Sequence, residues 1–364
     1  MKKVLILANN DVGLYQFRQE LISELLKKNK VYISLPYGEM VEPLKKMGCK
    51  FINNPFLERH GTNPFHDLNL LDYYKNTLKK LNPDVVLTYT IKCNVYGGMA
   101  CSVLNIPYVV NVTGLGTAIE NSGVMQKIAL LLYRIGLRKA QKVFFQNTEN
   151  RDFMLKHHVV KGMYDMLPGS GVNLERFPVR DYPSDENGVV RFAFISRIMK
   201  EKGIDYYLFA AKAIKRKYPN AEFHICGFCE AEYEGKLNEY NDNGTVIYHG
   251  MIHDVAEFLN DIHCVVHPTY YPEGLSNVLL EACASGRPII TTDRSGCREV
   301  VDDGVNGYMI PCRNGKKLIE AVDKFMRLQN EERKQMGLAG RTKVQREFDR
   351  QIVVQKYVDE VEKA

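Results

Sequence analysis

Two glutamates separated by seven residues form the most informative chemical pattern in the sequence. Glu273 lies just before Gly274, and Glu281 lies in the apolar stretch that follows. Gly274 permits a tight turn, and Ser276 or Asn277 can cap a helix that begins there. The free amides at the start of such a helix, together with its dipole, favour the binding of a diphosphate. The pattern therefore predicts a phosphate-binding site that has a carboxylate on each side.

The two glutamates can have different functions at such a site. The carboxylate of Glu281, on the helix, can accept hydrogen bonds from both hydroxyls of a ribose. Glu273, just before the turn, would face the sugar beyond the diphosphate. An isolated pair at this spacing is more often surface charge, because glutamate is common on protein surfaces. Here the pair follows an apolar strand that ends at His267 and precedes a helix stop at Gly286, which favours a functional site.

Two basic residues follow the first apolar strand in the second half of the chain. Arg197 and Lys202 lie in the segment Ser196–Gly203. An arginine can bind a diphosphate as a bidentate donor, and a lysine can bind it as a point charge. Alone, the segment would be explained more simply as an exposed basic loop. Beside the glutamate pair, it predicts counter-charges for the same diphosphate.

Alternating apolar and amphipathic segments predict two α/β domains, each with a doubly wound parallel sheet. We expect the first domain to run from residue 1 to 180. The loop-rich segment 168–189 contains several prolines and glycines, and it precedes a second domain at 189–349. A final helix within 350–364 is expected to pack back on the first domain, and Val255–Leu259 is assigned to a strand. Because ligands of open parallel sheets bind outside the carboxyl ends of the strands, two such domains facing each other would form a cleft.

Composition and charge narrow the functional class. The 364 residues are 45% hydrophobic and 25% charged, and the net charge of +6 is below that of a dedicated nucleic-acid-binding protein. The N-terminal apolar run is too short for a signal peptide, and no stretch reaches the roughly 20 apolar residues of a membrane span. We therefore expect a cytoplasmic protein with nine reduced cysteines. Cys226 and Cys229 lack a second ligand pair, so no metal site is predicted.

The stretch from His267 to Pro288, together with Ser196–Gly203, resembles the retaining glycosyltransferases of family 4, and the resemblance covers nearly the whole chain. It implies the GT-B fold and transfer of a sugar from a nucleotide diphosphate to an acceptor. In this family the residues matching Arg197 and Lys202 neutralise the leaving diphosphate, so no metal or other cofactor is expected. The resemblance implies that Glu273 positions the sugar and stabilises the oxocarbenium-like centre without acting as a nucleophile.

Segments 88–98 and 111–117 resemble a subgroup of family 4 that builds polyprenyl-diphosphate-linked oligosaccharides for bacterial capsules, O-antigens or glycoproteins. The subgroup implies a UDP-sugar donor carrying an N-acetylhexosamine or a hexose, and an undecaprenyl-diphosphate-linked saccharide as acceptor. Many members have a histidine in this region, whereas this sequence has Ile91-Lys92, so no catalytic histidine is assigned. The residues expected to bind substrate are Gly13, Lys92, Asn94, Gly114, Gly116, Met251, Gly274, Leu275, Ser276, Asn277 and Glu281.

A basic amphipathic segment could bring the protein to a membrane. No acidic residue occurs between Glu120 and Glu149, while Lys127, Arg134 and Arg138 alternate with leucines and isoleucines. A helix of this kind can rest on an anionic lipid surface, here the inner face of the bacterial membrane. An ordinary helix with a solvated basic edge would have the same pattern, so both interpretations stay open.

Two other functional classes fit the same fold. A nucleotide-sugar epimerase or an inverting transferase would also bind a nucleotide diphosphate, although the glutamate pair with Arg197 and Lys202 favours a retaining transferase. A non-catalytic sensor of sugar nucleotides would need the donor site but no turnover. Product stereochemistry and a turnover assay would distinguish these classes.

Overall fold

The computed structural model describes residues 1–57, 64–115, 119 and 123–364. The chain divides into two compact units. The first contains residues 1–171 and 350–364, and the second contains residues 172–349. Residues 172–180, which the sequence analysis assigned to the first domain, lie in the second unit.

The first unit is built on a parallel sheet that has seven strands in the described residues. These strands are β1 Lys3–Leu7, β2 Lys30–Leu35, β3 Lys50–Asn53, β4 Val85–Tyr89, β5 Tyr108–Val112, β6 Lys142–Phe145 and β7 Tyr164–Met166. The helices between them are α1 Asp11–Leu26, α2 Val41–Lys46, α3 Pro64–Leu81, α4 Gly98–Leu104, α5 Val124–Gly136 and α6 Thr148–Lys156. Strand order is β3-β2-β1-β4-β5-β6-β7, so the order reverses between β1 and β4. The carboxyl ends of β1 and β4 therefore flank the position at which doubly wound folds bind ligands.

The second unit has a parallel sheet of six described strands in the order β10-β9-β8-β11-β12-β13. These strands are β8 Val190–Ile195, β9 Ala221–Cys226, β10 Ile247–Tyr248, β11 Cys264–His267, β12 Ile289–Thr292 and β13 Gly307–Ile310. Its helices are α7 Ile204–Lys217, α8 Ala231–Asp242, α9 Val255–Phe258, α10 Asn277–Ala284, α11 Gly315–Met326 and α12 Asn330–Glu347. The strand order reverses between β8 and β11, so the loops after these two strands meet at the expected ligand-binding edge.

The segment assigned to a strand at Val255–Leu259 is helical instead. Asp254 caps α9 by accepting a hydrogen bond from the backbone amide of Glu257, at 3.0 Å. A short apolar run cannot distinguish a strand from a helix by periodicity, and here the aspartate cap favours the helix.

A last helix, α13 (Arg350–Lys363), belongs to the first unit. The guanidinium of Arg350 contacts both carboxylate oxygens of Glu20 on α1 at 2.9 Å. Farther along α13, the buried hydroxyl of Tyr357 accepts a hydrogen bond from the side-chain amide of Asn111, at 2.7 Å. Gly171 has φ +65°, and a Cβ there would lie 2.5 Å from the Cα of Arg350. The backbone at position 171 therefore packs so closely against the start of α13 that it requires glycine.

Candidate active site

The loops after β8 and β11 interlock at the point where the strand order of the second unit reverses. The backbone amide of Tyr270 donates a hydrogen bond to the carbonyl of Glu201 at 2.9 Å, and the hydroxyl of Thr269 donates to the same oxygen at 3.3 Å. Gly203 has φ +81°, and a Cβ there would lie 2.1 Å from the carbonyl oxygen of Pro268. The fold thus holds the basic segment predicted after β8 directly against the segment that carries Glu273.

Lys202 and Glu273 form an ion pair at this junction. Their side chains are only 11% and 17% exposed. The ammonium group of Lys202 also lies 4.9 Å from the centre of the Tyr271 ring, within the range of a cation–π contact. Two of the three residues predicted to be catalytic are therefore in direct contact.

The carboxylate of Glu273 is strongly biased toward its charged form. Burial alone would raise its pKa, but the nearby imidazole of His267 and the positive charge of Lys202 outweigh burial and lower the pKa to about 2. Nε2 of His267 lies 3.6 Å from Oε1 of Glu273. Glu273 is therefore ionised throughout the neutral range, as a residue that stabilises developing positive charge must be.

A loop after β12 holds the backbone around Glu273. The carbonyl of Gly296 accepts a hydrogen bond from the amide of Ser276 at 2.7 Å, and the amide of Gly296 donates to the carboxylate of Glu299 at 2.7 Å. Gly296 has φ +89°, and a Cβ there would lie 2.9 Å from the Cβ of Glu273. Only a glycine fits between this loop and the Glu273 segment.

Helix α10 begins just after this turn, as the glutamate motif predicts. Leu275 and Ser276 are buried, and Gly274 lies beside them in the turn. The predicted side-chain cap is wrong. Ser276 occupies the N-cap position, but its hydroxyl accepts no hydrogen bond from the first turn, and Asn277 is already the first helical residue. The amides of the first helical turn have no intrahelical acceptor, so this end of α10 can bind an anion.

Glu281 lies on α10, four positions after Asn277, and is partly buried. Its position on the helix agrees with the sequence analysis, whereas its proposed contact with a ribose stays a prediction. The backbone carbonyl of Glu281 accepts a hydrogen bond from the amide of Ser285 at 3.0 Å, in the last turn of the helix.

Arg197 follows β8, as the sequence predicts. Its side chain is 42% exposed, and its guanidinium lies 3.7 Å from the carboxylate of Glu230. The residue before Arg197 packs closely against Gly227, since a Cβ at Gly227 would lie 1.9 Å from the carbonyl oxygen of Ser196. Arg197 thus has a solvent-facing charge, in contrast with the buried charge of Lys202.

Met251 lies in the loop that follows β10. It is 66% exposed. The residue before it, Gly250, has φ +67°, and its carbonyl accepts a hydrogen bond from the amide of Gly227 at 2.8 Å. This hydrogen bond ties the Met251 loop to the loop after β9. A backbone contact from Met251 to a nucleobase remains a prediction.

In the first unit, Gly13 lies in the first turn of α1. Its amide donates a hydrogen bond to the side chain of Asn10 at 2.6 Å, so Asn10 is the helix cap. Asp11, the next residue, accepts a hydrogen bond from the amide of Met40 at 2.6 Å and thereby anchors the loop after β2. Gly13 is therefore part of an already capped helix start, at the carboxyl end of β1.

Lys92 and Asn94, predicted to contact the acceptor, differ in their surroundings. The ammonium of Lys92 pairs with Asp67 at 2.8 Å, and the hydroxyl of Tyr96 donates to the same carboxylate at 2.8 Å. Asn94 is 1% exposed and accepts a hydrogen bond from the hydroxyl of Thr88 at 2.8 Å. Lys92 is thus held at a partly exposed position, whereas Asn94 is buried in the helical turn after β4 and hydrogen-bonds to the sheet.

Gly114 follows the carboxyl end of β5 and is partly buried. Gly116, the other glycine predicted in this segment, lies outside the described residues. The structure also adds residues that sequence reasoning missed. Asp67 joins Lys92 from another helix, Tyr96 joins the same carboxylate from the segment of Lys92 itself, and His267 joins Glu273. Only His267 left a local signal, as the last residue of an apolar strand.

Within the described residues, no cluster of three or more histidine, cysteine, aspartate or glutamate side chains is arranged to hold a metal ion. All nine cysteines are free thiols. Among the helices of the described ranges, none combines the length and the apolarity that crossing a membrane requires.

Two family models match the chain. The model described as "Glycosyl transferase 4-like" matches residues 3–147, and the one described as "Glycosyl transferases group 1" matches residues 183–343. The solved structure of Anabaena HepE in complex with UDP-glucose has a TM-score of 0.80, with 16% identity, and each chain is covered completely. This likeness supports the same two-domain fold.

Two curated relatives have informative names. The N,N'-diacetylbacillosaminyl-diphospho-undecaprenol alpha-1,3-N-acetylgalactosaminyltransferase of Campylobacter jejuni is 27% identical and covers 97% of this chain and 96% of its own. The UDP-Gal:alpha-D-GlcNAc-diphosphoundecaprenol alpha-1,3-galactosyltransferase of Escherichia coli is 25% identical and covers 70% of this chain and 69% of its own. Both halves of the chain match family models of glycosyltransferases, and the fold of the chain is that of solved glycosyltransferase structures. The protein therefore belongs to the glycosyltransferases of family 4, which have the GT-B fold.

Proposed function

We propose that this glycosyltransferase moves a sugar from a UDP-sugar to an undecaprenyl-diphosphate-linked saccharide, with retention at the anomeric carbon, in the biosynthesis of a bacterial surface polysaccharide. The observation that carries the proposal is the buried ion pair of Lys202 and Glu273 beside the uncapped start of α10. This arrangement provides a cation, a row of amides and a carboxylate at one edge of the sheet.

The three groups suit the parts of a nucleotide-sugar donor. The amides at the start of α10 and the ammonium of Lys202 would bind the diphosphate, and Arg197 would reach it from the solvent side. Glu273 would face the sugar. As the bond between the anomeric carbon and the diphosphate oxygen breaks, negative charge grows on UDP and positive charge grows on the sugar ring. Cations and the carboxylate then stabilise opposite ends of the same transition state.

The acceptor attacks from the same face that the leaving group occupies. The acceptor hydroxyl oxygen forms the new bond to the anomeric carbon, and its proton leaves with the UDP diphosphate. No covalent bond to the enzyme forms, and Glu273 keeps its ionised state. A charged Glu273 agrees with this role, because its low pKa would make it a weak base and a poor nucleophile.

The identities of donor and acceptor come from the relatives. The Campylobacter jejuni and Escherichia coli relatives are both named for undecaprenol-diphosphate-linked acceptors, and the second is named for a UDP-linked donor. We propose an N-acetylhexosamine or a hexose as the transferred sugar. We also propose catalysis without a divalent metal, because Lys202 and Arg197 supply positive charge where a metal would otherwise stabilise the leaving group.

Association with a membrane surface would bring the enzyme to a lipid-linked acceptor. One face of α5 carries large exposed apolar side chains, and basic side chains lie beside them. The exposed apolar residues are Val124 (73%), Met125 (58%), Ile128 (46%), Leu131 (51%) and Ile135 (45%). The exposed basic residues are Lys127 and Arg134 on α5, and Arg138 and Lys139 just after it. An exposed apolar stripe with a basic border is typical of helices that lie in the membrane interface.

A donor and acceptor screen tests the proposed reaction. Purified protein is incubated with UDP-, GDP- and dTDP-sugars and a short-chain polyprenyl-diphosphate saccharide, in the presence of EDTA. We expect turnover with a UDP-sugar only, and a product with the anomeric configuration of the donor. Inversion would exclude the proposed mechanism, and binding without turnover would favour a sugar-nucleotide sensor. Activity that disappears with EDTA and returns with Mg²⁺ would overturn the metal-free reaction.

Vesicle binding tests the proposed membrane contact separately. The double substitution Ile128→Ser with Leu131→Ser should reduce sedimentation with vesicles that contain anionic lipid. Val305→Ser is the matched control, because Val305 is an exposed apolar residue of the second unit, 58% exposed. Equal binding of all variants to anionic and neutral vesicles would contradict the membrane role of α5 but would leave the transfer reaction untouched.

A further inference from the structure

His267 is the last residue of β11 and is almost completely buried, with 1% exposure. Its Nε2 lies 3.6 Å from Oε1 of Glu273. Within the part of the chain that the structure describes, neither ring nitrogen has a closer hydrogen-bond partner. A buried polar side chain without a closer partner is costly, and Glu273 is the group its Nε2 faces.

The titratable groups around the pair of His267 and Glu273 come from three segments. Lys202 comes from the loop after β8, Glu273 from the loop after β11, and the thiol of Cys297 from the loop after β12. Burial raises the pKa of the Cys297 thiol, so it remains uncharged. Burial also lowers the pKa of His267, although the carboxylate of Glu273 acts in the opposite direction. The imidazole is therefore neutral near pH 7 and can donate one hydrogen bond.

The donor diphosphate changes the surroundings of Glu273. Lys202 pairs with Glu273, and under the proposed function it also contributes its charge to the diphosphate. If the ammonium of Lys202 moves toward the phosphate, its interaction with the carboxylate of Glu273 becomes weaker. A second partner would then help to keep Glu273 both ionised and directed toward the sugar.

We propose that His267 is this partner: a positioning residue that donates its Nε2–H to Glu273 and holds the carboxylate in place while Lys202 neutralises the donor diphosphate. The inference rests on the proposed function, since it assigns a role to a neighbour of Glu273. His267 itself touches neither the sugar nor the diphosphate. It acts by fixing the orientation and the charge of Glu273.

Two substitutions separate this role from simple packing. His267→Leu removes the hydrogen-bond donor, whereas His267→Gln keeps a neutral N–H donor. We expect His267→Leu to lower kcat about 30-fold or more, by analogy with the loss of one hydrogen bond at a charged transition state, while KM for the donor changes less than threefold. His267→Gln should recover a large part of kcat.

The pH dependence of kcat gives a readout that packing would not change. Without the hydrogen bond, the charged form of Glu273 is less stable, so its pKa rises in the donor complex. The acid limb of the pH profile should therefore move upward by about one unit in His267→Leu, and less in His267→Gln. His263→Gln is the matched control: His263 is equally buried just before β11, but its Nδ1 accepts a hydrogen bond from the amide of Arg191 at 3.1 Å, away from Glu273.

The outcomes are distinct. Wild-type turnover with a normal kcat and an unchanged acid limb in His267→Leu would overturn the inference while the proposed function stands. Loss of activity in His263→Gln to the same extent, with the same shift of the acid limb, would overturn it as well. If the wild-type protein turns over no nucleotide sugar, the proposed function itself fails. Should His267→Leu not fold, the comparison of His267→Gln with wild type still tests the acid limb.

Discussion

The ammonium of Lys202 and the carboxylate of Glu273 form an ion pair although 71 residues separate them in the sequence. Each residue comes from a loop that follows a central strand, and both side chains are largely buried. Removing two charges from water is costly unless they compensate each other. Their pairing therefore allows the protein to bury two groups of its proposed donor site.

Glu273→Gln should abolish most of the transfer activity. The amide keeps the shape of the side chain but lacks the negative charge that would stabilise the sugar ring, so we expect kcat to fall by about 10²–10³-fold. UDP binding should change much less, and isothermal titration with UDP provides the control. Nearly full activity of this variant would contradict the assigned role.

Glu273→Gln should also lower the free energy of unfolding at neutral pH, because it leaves the buried ammonium of Lys202 without its counter-charge. The pKa of Glu273 falls from its ordinary value of 4.5 to about 2 on folding. A lowered pKa adds stability above the ordinary value, and this stability is lost as the pH falls toward the folded value. Urea unfolding of both proteins should therefore show a difference of roughly 2 kcal/mol at pH 6 that shrinks between pH 4.5 and pH 2. A difference that stays constant down to pH 3 would contradict the ion pair.

Lys202→Met should reduce kcat/KM by about 100-fold, since the leaving diphosphate loses a charge-assisted hydrogen bond. Lys200→Met is the matched control, because Lys200 is an exposed lysine two residues earlier, in the 3₁₀ turn Lys200–Lys202 of the loop after β8. The control should change kcat/KM by less than about twofold. Steady-state kinetics at a fixed ionic strength compare the two variants. Equal losses would indicate that the general positive charge of the segment matters, not the particular position of Lys202.

Gly296→Ala should impair activity more than its effect on stability explains. A Cβ at Gly296 would meet the Cβ of Glu273 at 2.9 Å, and φ is +89°. Gly304 has a similar φ of +78°, but no atom lies within 4 Å of its Cβ position. Both alanine variants should lose roughly 1 kcal/mol of stability from backbone strain, measured by thermal or urea unfolding. Only Gly296→Ala should also lower kcat, and equal kcat in the two variants would show that the contact is relieved elsewhere.

Much of the fold and part of the site follow from local sequence. The alternation of apolar and amphipathic segments predicts two doubly wound sheets, and the turn at Gly274 predicts the start of α10, because each signal lies within a few neighbouring residues. The short apolar run at Val255–Leu259 does not distinguish a strand from a helix. It is helical, and Asp254 caps the helix.

Contacts between distant segments could not be predicted in this way. Nothing near Ser276 indicates that its amide bonds to Gly296, so the expected side-chain cap was wrong. The sequence predicts that Lys92 binds substrate, but it does not show the pairing of Lys92 with Asp67, which depends on how α3 packs. The proximity of His267 to Glu273 likewise requires the turn between them to fold back, which the types of the intervening residues do not specify.

Helix α13 gives the protein an unusual order of assembly during synthesis. Its side chains Val353, Tyr357 and Val361 belong to the apolar interior of the first unit, yet they leave the ribosome only after the whole second unit. Until then the amide of Asn111 lacks the Tyr357 hydroxyl, and the apolar surface that receives α13 stays open to water. The nascent first unit would therefore be a ready client for chaperones, and the second unit can complete its own core before the first is closed.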